Sequence, residues 1–517
     1  MKKLKLVCVA IAMACATPTL AGGLLTNTNQ HVAFNRMMSR EASIGIDGVY
    51  YNPAGVVFMG EGHHLAINWQ LAFQTRTINN DYALFTNNVN NPITPRDFKG
   101  TAFAPVIPSF QYAYNKGKWS FQASFALTGG GGKCTFDDGL GSFEKIVAET
   151  AIAACQLAGA VDQVAGAYNV PAIFSSNQCF GTEGKYSYNS YMHGRQYYYG
   201  LSAGAAYKFS DNFSAFLGVR GVYALTNYYG YVENIQVGQM PLYKVLNPAK
   251  ESSANIELSC DQSGVGFTPI IGVDYKTGRW NFSAKYEFKT RIRLKNKSVN
   301  QIPSIGNLPD NLRNAYIANG VPEAAADAIL SNPKIQGAMV ALKTQFDSKI
   351  DGAIGEYEDG KKIAGDIPAY LALGVGYSPV DAVRVNVGFH WFDDKNATSY
   401  NNRNKELKRG TLEYNAGVEV DVNKKITLST GWQNTNYGLS DEYMDDKSFV
   451  VSSNSVAIGG VYHINKKMDL NVAYFHTFYQ HKKTSEKVQL TAEKSINYSS
   501  DYTRNNNVFA VGLDINF

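Results

Sequence analysis

The residues able to do chemistry are few and scattered. His63 and His64 are adjacent, and neighbours on a strand face opposite sides, so the pair cannot readily share one metal ion. No serine, histidine and acid have the spacing of a nucleophilic triad. No catalytic residue, cofactor or metal is therefore assigned. Cys134, Cys155, Cys179 and Cys260 are the cysteines beyond the N-terminal leader. In an exported chain they suggest two disulfides, with three pairings open. A metal site is the rival, but neither CxxC nor HxxxH spacing is present. The run Thr128-Gly129-Gly130-Gly131-Gly132 precedes Lys133, yet Cys134 follows and the phosphate-loop spacing fails. Arg220, Lys285, Arg384 and His390 sit at alternating polar positions, as do Glu287, Glu413 and Glu419. If these face an interior, their first role is bracing, because buried charges need partners. One of the basic groups could also meet a ligand carboxylate.

The elements that would position these residues are strands. Phe509, Val511, Leu513, Ile515 and Phe517 alternate with Ala510, Gly512, Asp514 and Asn516. One face is wholly apolar and the other small or polar. The same rhythm runs through Trp119–Leu127, Trp280–Phe288, Val383–Trp391 and Leu412–Val422. It predicts strands at 62–76, 100–114, 117–128, 195–209, 211–227, 263–276 and 278–294. It continues at 366–378, 382–394, 408–422, 424–437, 452–464, 466–480 and 503–517, fourteen in all. Pro105 and Pro108 interrupt the second. Tight connections alternate with long ones, as in an up-and-down barrel with short periplasmic turns and long external loops. The fold class is thus an all-β, 14-stranded antiparallel transmembrane β-barrel. The long loops at 142–168 and 309–350 carry helical patterns, too interrupted to span a bilayer.

Residues 1–21 read as a secretory signal. Lys2, Lys3 and Lys5 precede the apolar Leu6–Ala16, and Thr19-Leu20-Ala21 is a small-residue cleavage site. Acylation at Cys15 is the alternative, in a poor context. Without the leader's lysines the net charge of +5 falls to +2, which gives no argument for nucleic acid. Of the 517 residues, 33 are Tyr and 27 Phe, a supply suited to the aromatic girdles of a barrel in the outer membrane.

Residues 22–61 are not strand-like. They are rich in Gly, Asn and Ser and end in the compact turn Asn52-Pro53-Ala54-Gly55 after Tyr50-Tyr51. They are expected to plug the lumen, leaving 62–517 as the barrel. With this segment after the leader, Asn52-Pro53-Ala54 before strand one, fourteen strands and helix-bearing middle loops, the chain resembles the FadL family of outer-membrane long-chain fatty-acid and hydrocarbon transporters. The resemblance implies capture of a hydrophobic small molecule at the external loops and passage to a pocket in the barrel. Movement of the plug and a wall opening at a kinked third strand then release the cargo sideways into the membrane lipid. The matching kink would lie at Thr128, Gly129, Gly130 and Gly131, which alternatively begin a flexible loop. The expected protein is a monomer whose last strand, ending in Phe517, is recognised by the barrel assembly machinery. A diffusion porin for polar solutes and a surface-binding barrel are the other readings.

Overall fold

The computed structural model describes residues 27–303, 306–490 and 494–517; the leader and Gly22 to Thr26 lie outside the described residues. The wall is a closed antiparallel barrel of fourteen strands. β1 is Gly62–Tyr82, β2 Arg96–Lys116, β3 Trp119–Phe136, β4 Tyr186–Lys208 and β5 Phe213–Val237. β6 is Ile256–Thr277, and β7 is Trp280–Glu287 continued by Arg293–Gln301. β8 is Lys362–Ala364 continued by Tyr370–Val380, followed by β9 Val383–Phe392, β10 Thr411–Asn423 and β11 Ile426–Asn436. β12 is Ser453–Asn465, β13 Met468–Tyr479 continued by Lys482–Gln489, and β14 Ser495–Asn516.

Closure follows from register. β1 pairs with β14 from His64↔Asn516 to Tyr82↔Tyr498. Past that ladder, His63 and Phe517 exchange both backbone hydrogen bonds, at 2.7 and 2.9 Å. In lipid no edge can be left unpaired, so this seam makes the barrel viable. The apolar set of β14 faces outward, with Phe509 and Phe517 exposed, and meets bilayer rather than a second sheet. Among the described residues no helix is long and apolar enough to cross a membrane.

The tight turns fall where alternation put them. Gly117 and Gly278, both at positive φ, close the turns after β2 and β6. The outer ends of the strands differ. β1 runs to Tyr82, β4 starts at Tyr186 and β14 starts at Ser495, each well beyond its predicted limit. Above the bilayer the outward face no longer needs to be apolar, so the period-two signal fades while hydrogen bonding continues. Helices Gly141–Gly166, Leu308–Ala318, Glu323–Leu330 and Pro333–Ile354 form the cap with an apolar core of their own.

Residues 27–61 run inside the barrel. Helix Val32–Met37 is buried throughout, and the turn at Asn52 to Gly55 lies against β3, β5 and β6. A glycine track on the inner wall admits this backbone: a Cβ on Gly417 or Gly431 would strike the Met37 carbonyl, and one on Gly374 would strike Glu41 and Ala42. Gly431→Ala is expected to destabilise the protein by about 1–3 kcal/mol through overpacking. Denaturant unfolding in detergent measures it, with Gly60→Ala, which meets nothing within 4 Å, as the neutral control.

Candidate functional site

The site begins at a break in the wall. β2 and β3 pair from Lys116↔Trp119 to Phe110↔Phe125 and again from Ala102↔Cys134 to Gly100↔Phe136, with no ladder between. Two sequence features cause it. Pro105 and Pro108 have no N–H to give. The glycine run lies within β3 rather than at its end, and it carries two bulges against β4, at Leu127/Gly129 and Gly130/Gly132. Gly130 and Gly132 have φ of 82° and 98°, which favours glycine. β2 stays bonded to β1 and β3 to β4, so the loss is confined to one seam.

The start of the described N-terminal segment bridges this seam: Ser109 and Gln111 of β2 donate to the Gln30 carbonyl, and Asn27 holds β3. The Asn27 backbone N–H donates to Thr128 O at 3.1 Å. Its side-chain Nδ2 donates to Leu127 O at 3.2 Å and Gly130 O at 2.9 Å. Thr128 Oγ1 donates to Tyr198 O. On the outer face the Trp69 indole donates to Pro105 O at 2.7 Å.

Behind the break lies a cavity of about 250 Å³. Ala104, Pro108, Leu127 and Gly130 to Gly132 form its gap side, Phe34 and Met38 its floor, and Phe449 and Val450 its roof. Two almost wholly apolar cavities of about 70 and 80 Å³ lie in the cap; Leu157, Leu246 and Leu312 line one, Phe143, Ile256 and Tyr357 the other.

The four basic residues singled out from sequence lie below this cavity and are all engaged. Arg220 donates to Glu287 at 2.6 and 3.1 Å, and Lys285 Nζ reaches Glu287 at 2.9 Å and Tyr50 O at 2.5 Å. Arg384 pairs with Asp421 and Glu419. His390 has Glu41 on Nε2 and Glu413 on Nδ1, both at 2.8 Å, which both ring nitrogens can satisfy only as donors. From the N-terminal segment, Arg36 and Arg40 both reach Glu419, and Arg40 also pairs with Asp47 at 2.6 Å. Asn52 donates to Asp274 at 2.5 Å and accepts from Gly55 N–H. The Pro53 and Ala54 carbonyls accept from Gln122 and Ser214. These residues form a dense, compensated brace.

Two cations missed in the sequence face the cavity instead. Arg76 and Arg504 sit opposite each other across the β1–β14 seam. Arg76 has a 3.3 Å bond to Gln74, and Arg504, only 7% exposed, lies over the Tyr479 ring with its Nε unpartnered. Among the described residues neither is in an ion pair. Lys447 joins them from the roof, its Nζ also unpartnered. The one carboxylate on the lining, Glu413, is taken up by His390, Gln433 and Thr435. Alternation carried back along β14 would have found Arg504; its lack of a counter-ion depends on register and could not be read.

The disulfide expectation is corrected: all four cysteines are free and buried. They lie in three packing clusters, Cys155 and Cys179 sharing one. Cys134 lies with Phe136 and Met192, Cys155 and Cys179 in the cap core, and Cys260 with Tyr228 and Tyr357. Burial pushes the Cys155 and Cys179 thiols up, so they behave as small apolar groups.

No family model and no curated protein matches this sequence. The fold is nonetheless clear: it is that of the FadL-type outer-membrane barrels. The chain is similar to the crystal structure of a Pseudomonas aeruginosa FadL homologue, with a TM-score of 0.59 and 14% identity over 96% of this chain and 100% of that one. It is also similar to the Pseudomonas putida toluene transporter TodX, with a TM-score of 0.52 and 13% identity over 96% and 100% of the two chains. At such identity the likeness is one of fold.

The cavity roof should respond to pH. Burial, then the neighbouring Asp445 charge, pushes Asp446 up to about 6 from 3.8, and burial pushes Glu356 up to about 7 from 4.5. Both values are raised, so the folded cap holds protons that an unfolded cap would release. The stabilisation is complete below about pH 4 and is lost as pH rises through 6 and 7. Protection factors of residues 440–450, with the intrinsic pH dependence of exchange divided out, are expected to be higher at pH 5 than at pH 8, and Asp446→Asn should reduce the difference.

Proposed function

We propose that the protein carries hydrophobic small molecules across the outer membrane, from cap to lumen cavity and out sideways through the β2–β3 seam. The observation that carries this reading is the interrupted ladder between two otherwise continuous strands, beside a cavity and bridged from inside by Asn27 and Gln30. The apolar cap cavities supply a first resting place, and the braced segment fills the lumen that a diffusion porin would keep open. The two fold neighbours are described as a FadL homologue and a toluene transporter, which agrees with an apolar cargo. We infer long-chain fatty acids as the cargo. A carboxylate would meet Arg76 and Arg504, which a neutral hydrocarbon would leave unpaired in a confined space.

Two experiments test these levels separately. Ala104 and Gly132 face each other across the seam, with Cβ positions 3.6 Å apart, within disulfide range. In a Cys134→Ser background, Ala104→Cys with Gly132→Cys should block uptake of labelled fatty acid when oxidised and restore it on reduction. Uptake indifferent to the crosslink would remove lateral release from consideration. For the cargo, Arg76→Gln with Arg504→Gln should weaken fatty-acid binding by roughly tenfold or more, the loss of one to two charge-assisted bonds. Toluene uptake, measured in parallel, should stay unchanged; equal effects on both would count against a carboxylate site.

A further inference from the structure

The outer face of β7 carries a charge pattern that transport does not use. From Trp280 to Phe288 its outward positions are apolar or small, with Trp280, Phe282 and Phe288 exposed. A run of that length fills the hydrocarbon thickness of a tilted strand. The strand then breaks at Thr290 and resumes as Arg293–Gln301. The next exposed residues are Arg291, Arg293, Lys295 and Lys297, alternating with buried Ile292, Leu294 and Asn296. Exposed Lys362 of β8 stands directly opposite Lys295. The result is a cationic ladder at the height of the outer head groups, on the end of the barrel bearing the long loops, with charges about 7 Å apart along the strand.

Little on the protein neutralises it. Arg293 reaches Asp366 at 2.8 Å, and Lys289 approaches the same buried carboxylate. Asp261 faces outward opposite Lys297 but accepts from Asn227. Arg291, Lys295, Lys297 and Lys362 are in no ion pair among the described residues. Their side chains project from the sheet surface toward the surrounding lipid, while the backbone is paired with β6 from Lys295 to Gln301 and with β8 from Arg293 to Lys295.

We propose that this ladder binds the phosphate groups of a phosphorylated glycolipid of the outer leaflet, held as a specific annular lipid. Guanidinium forks and ammonium points are suited to phosphate oxygens, and cations at a head-group surface gain from anionic lipid. The occupant's acyl chains would lie on Phe267 and Val265 of β6, both exposed.

The test uses the full-length protein in mixed phospholipid–detergent micelles, titrated with diphosphoryl lipid A and with its dephosphorylated form. Wild type should prefer the phosphorylated lipid by roughly tenfold or more, with the gap shrinking as salt rises. Arg291→Gln, Arg293→Gln, Lys295→Gln and Lys297→Gln together should abolish the preference. The same number of cap substitutions, at Lys185, Lys250, Lys334 and Lys408, should keep it. Heat-modifiable migration checks that each barrel is folded, and a variant carrying only Lys295→Gln and Lys297→Gln serves if the fourfold one is not. Equal binding of both lipids, an unchanged preference in the ladder variant, or displacement of the lipid by millimolar inorganic phosphate would overturn the proposal. Fatty-acid uptake is not the readout, so the outcome is independent of the proposed cargo.

Discussion

A backbone carbonyl facing hydrocarbon must have a donor, because no water is there to supply one. Most of this barrel's seams meet that demand with continuous or nearly continuous ladders; the β6–β7 seam has a gap, between Ser263↔Lys295 and Ile270↔Glu287, and so does the β2–β3 seam. Prolines on one side and glycine bulges on the other remove the usual donors. Replacements arrive from elsewhere: Asn27 from inside, Trp69 from outside. The N-terminal segment is thus part of the wall's hydrogen bonding as well as an occupant of the lumen, and the cavity lies where segment and wall meet.

The charges divide along the same line. Below the cavity each cation named has a carboxylate, and Glu419 alone serves Arg36, Arg40 and Arg384. Removing one partner from such a buried set costs on the order of 3–5 kcal/mol, whereas the assembled set adds little net stability. Its value lies in fixing where the segment sits. Above, Arg76 and Arg504 have no such partner, and the same desolvation argument favours an anion arriving there.

Much of this was legible in the sequence, because lipid and lumen impose opposite demands on successive residues. Val383 to Trp391 reads as a membrane strand with no further information, and so does Phe509 to Phe517. Where one demand lapses, legibility lapses too. The upper half of β4, from Tyr186, lacks an apolar outward face and reads as loop. The segment Lys482–Gln489, which pairs with β14 beyond the membrane, likewise reads as connection. The candidate site was only partly visible. Glycines and prolines marked the weak seam, but the pairing that makes Arg220 a brace and leaves Arg504 free is a fact of register between distant strands. The cysteines misled because exported chains usually oxidise theirs, whereas here all four thiols are buried and free.

The two ends of the N-terminal segment are held with very different strengths, and this bears on how the seam could open. Helix Val32–Met37 and the turn at Asn52 are fixed by buried ion pairs and by a close fit over Gly417 and Gly431. Asn27 is fixed by three hydrogen bonds, each worth only about 0.5–1.5 kcal/mol net. Thr28 and Gln30 bond to Tyr51, Asn29 bonds twice to Gln70, and the Gln30 carbonyl accepts from Ser109 and Gln111. Expelling the whole segment would break the brace and strand several buried charges. Releasing Asn27 alone would free the β3 side of the seam, at a cost that a ligand offsets only through tighter binding to the released state, about tenfold for each 1.4 kcal/mol. Movement at Asn27 therefore costs this barrel less than movement of anything beyond His31, which the buried brace holds.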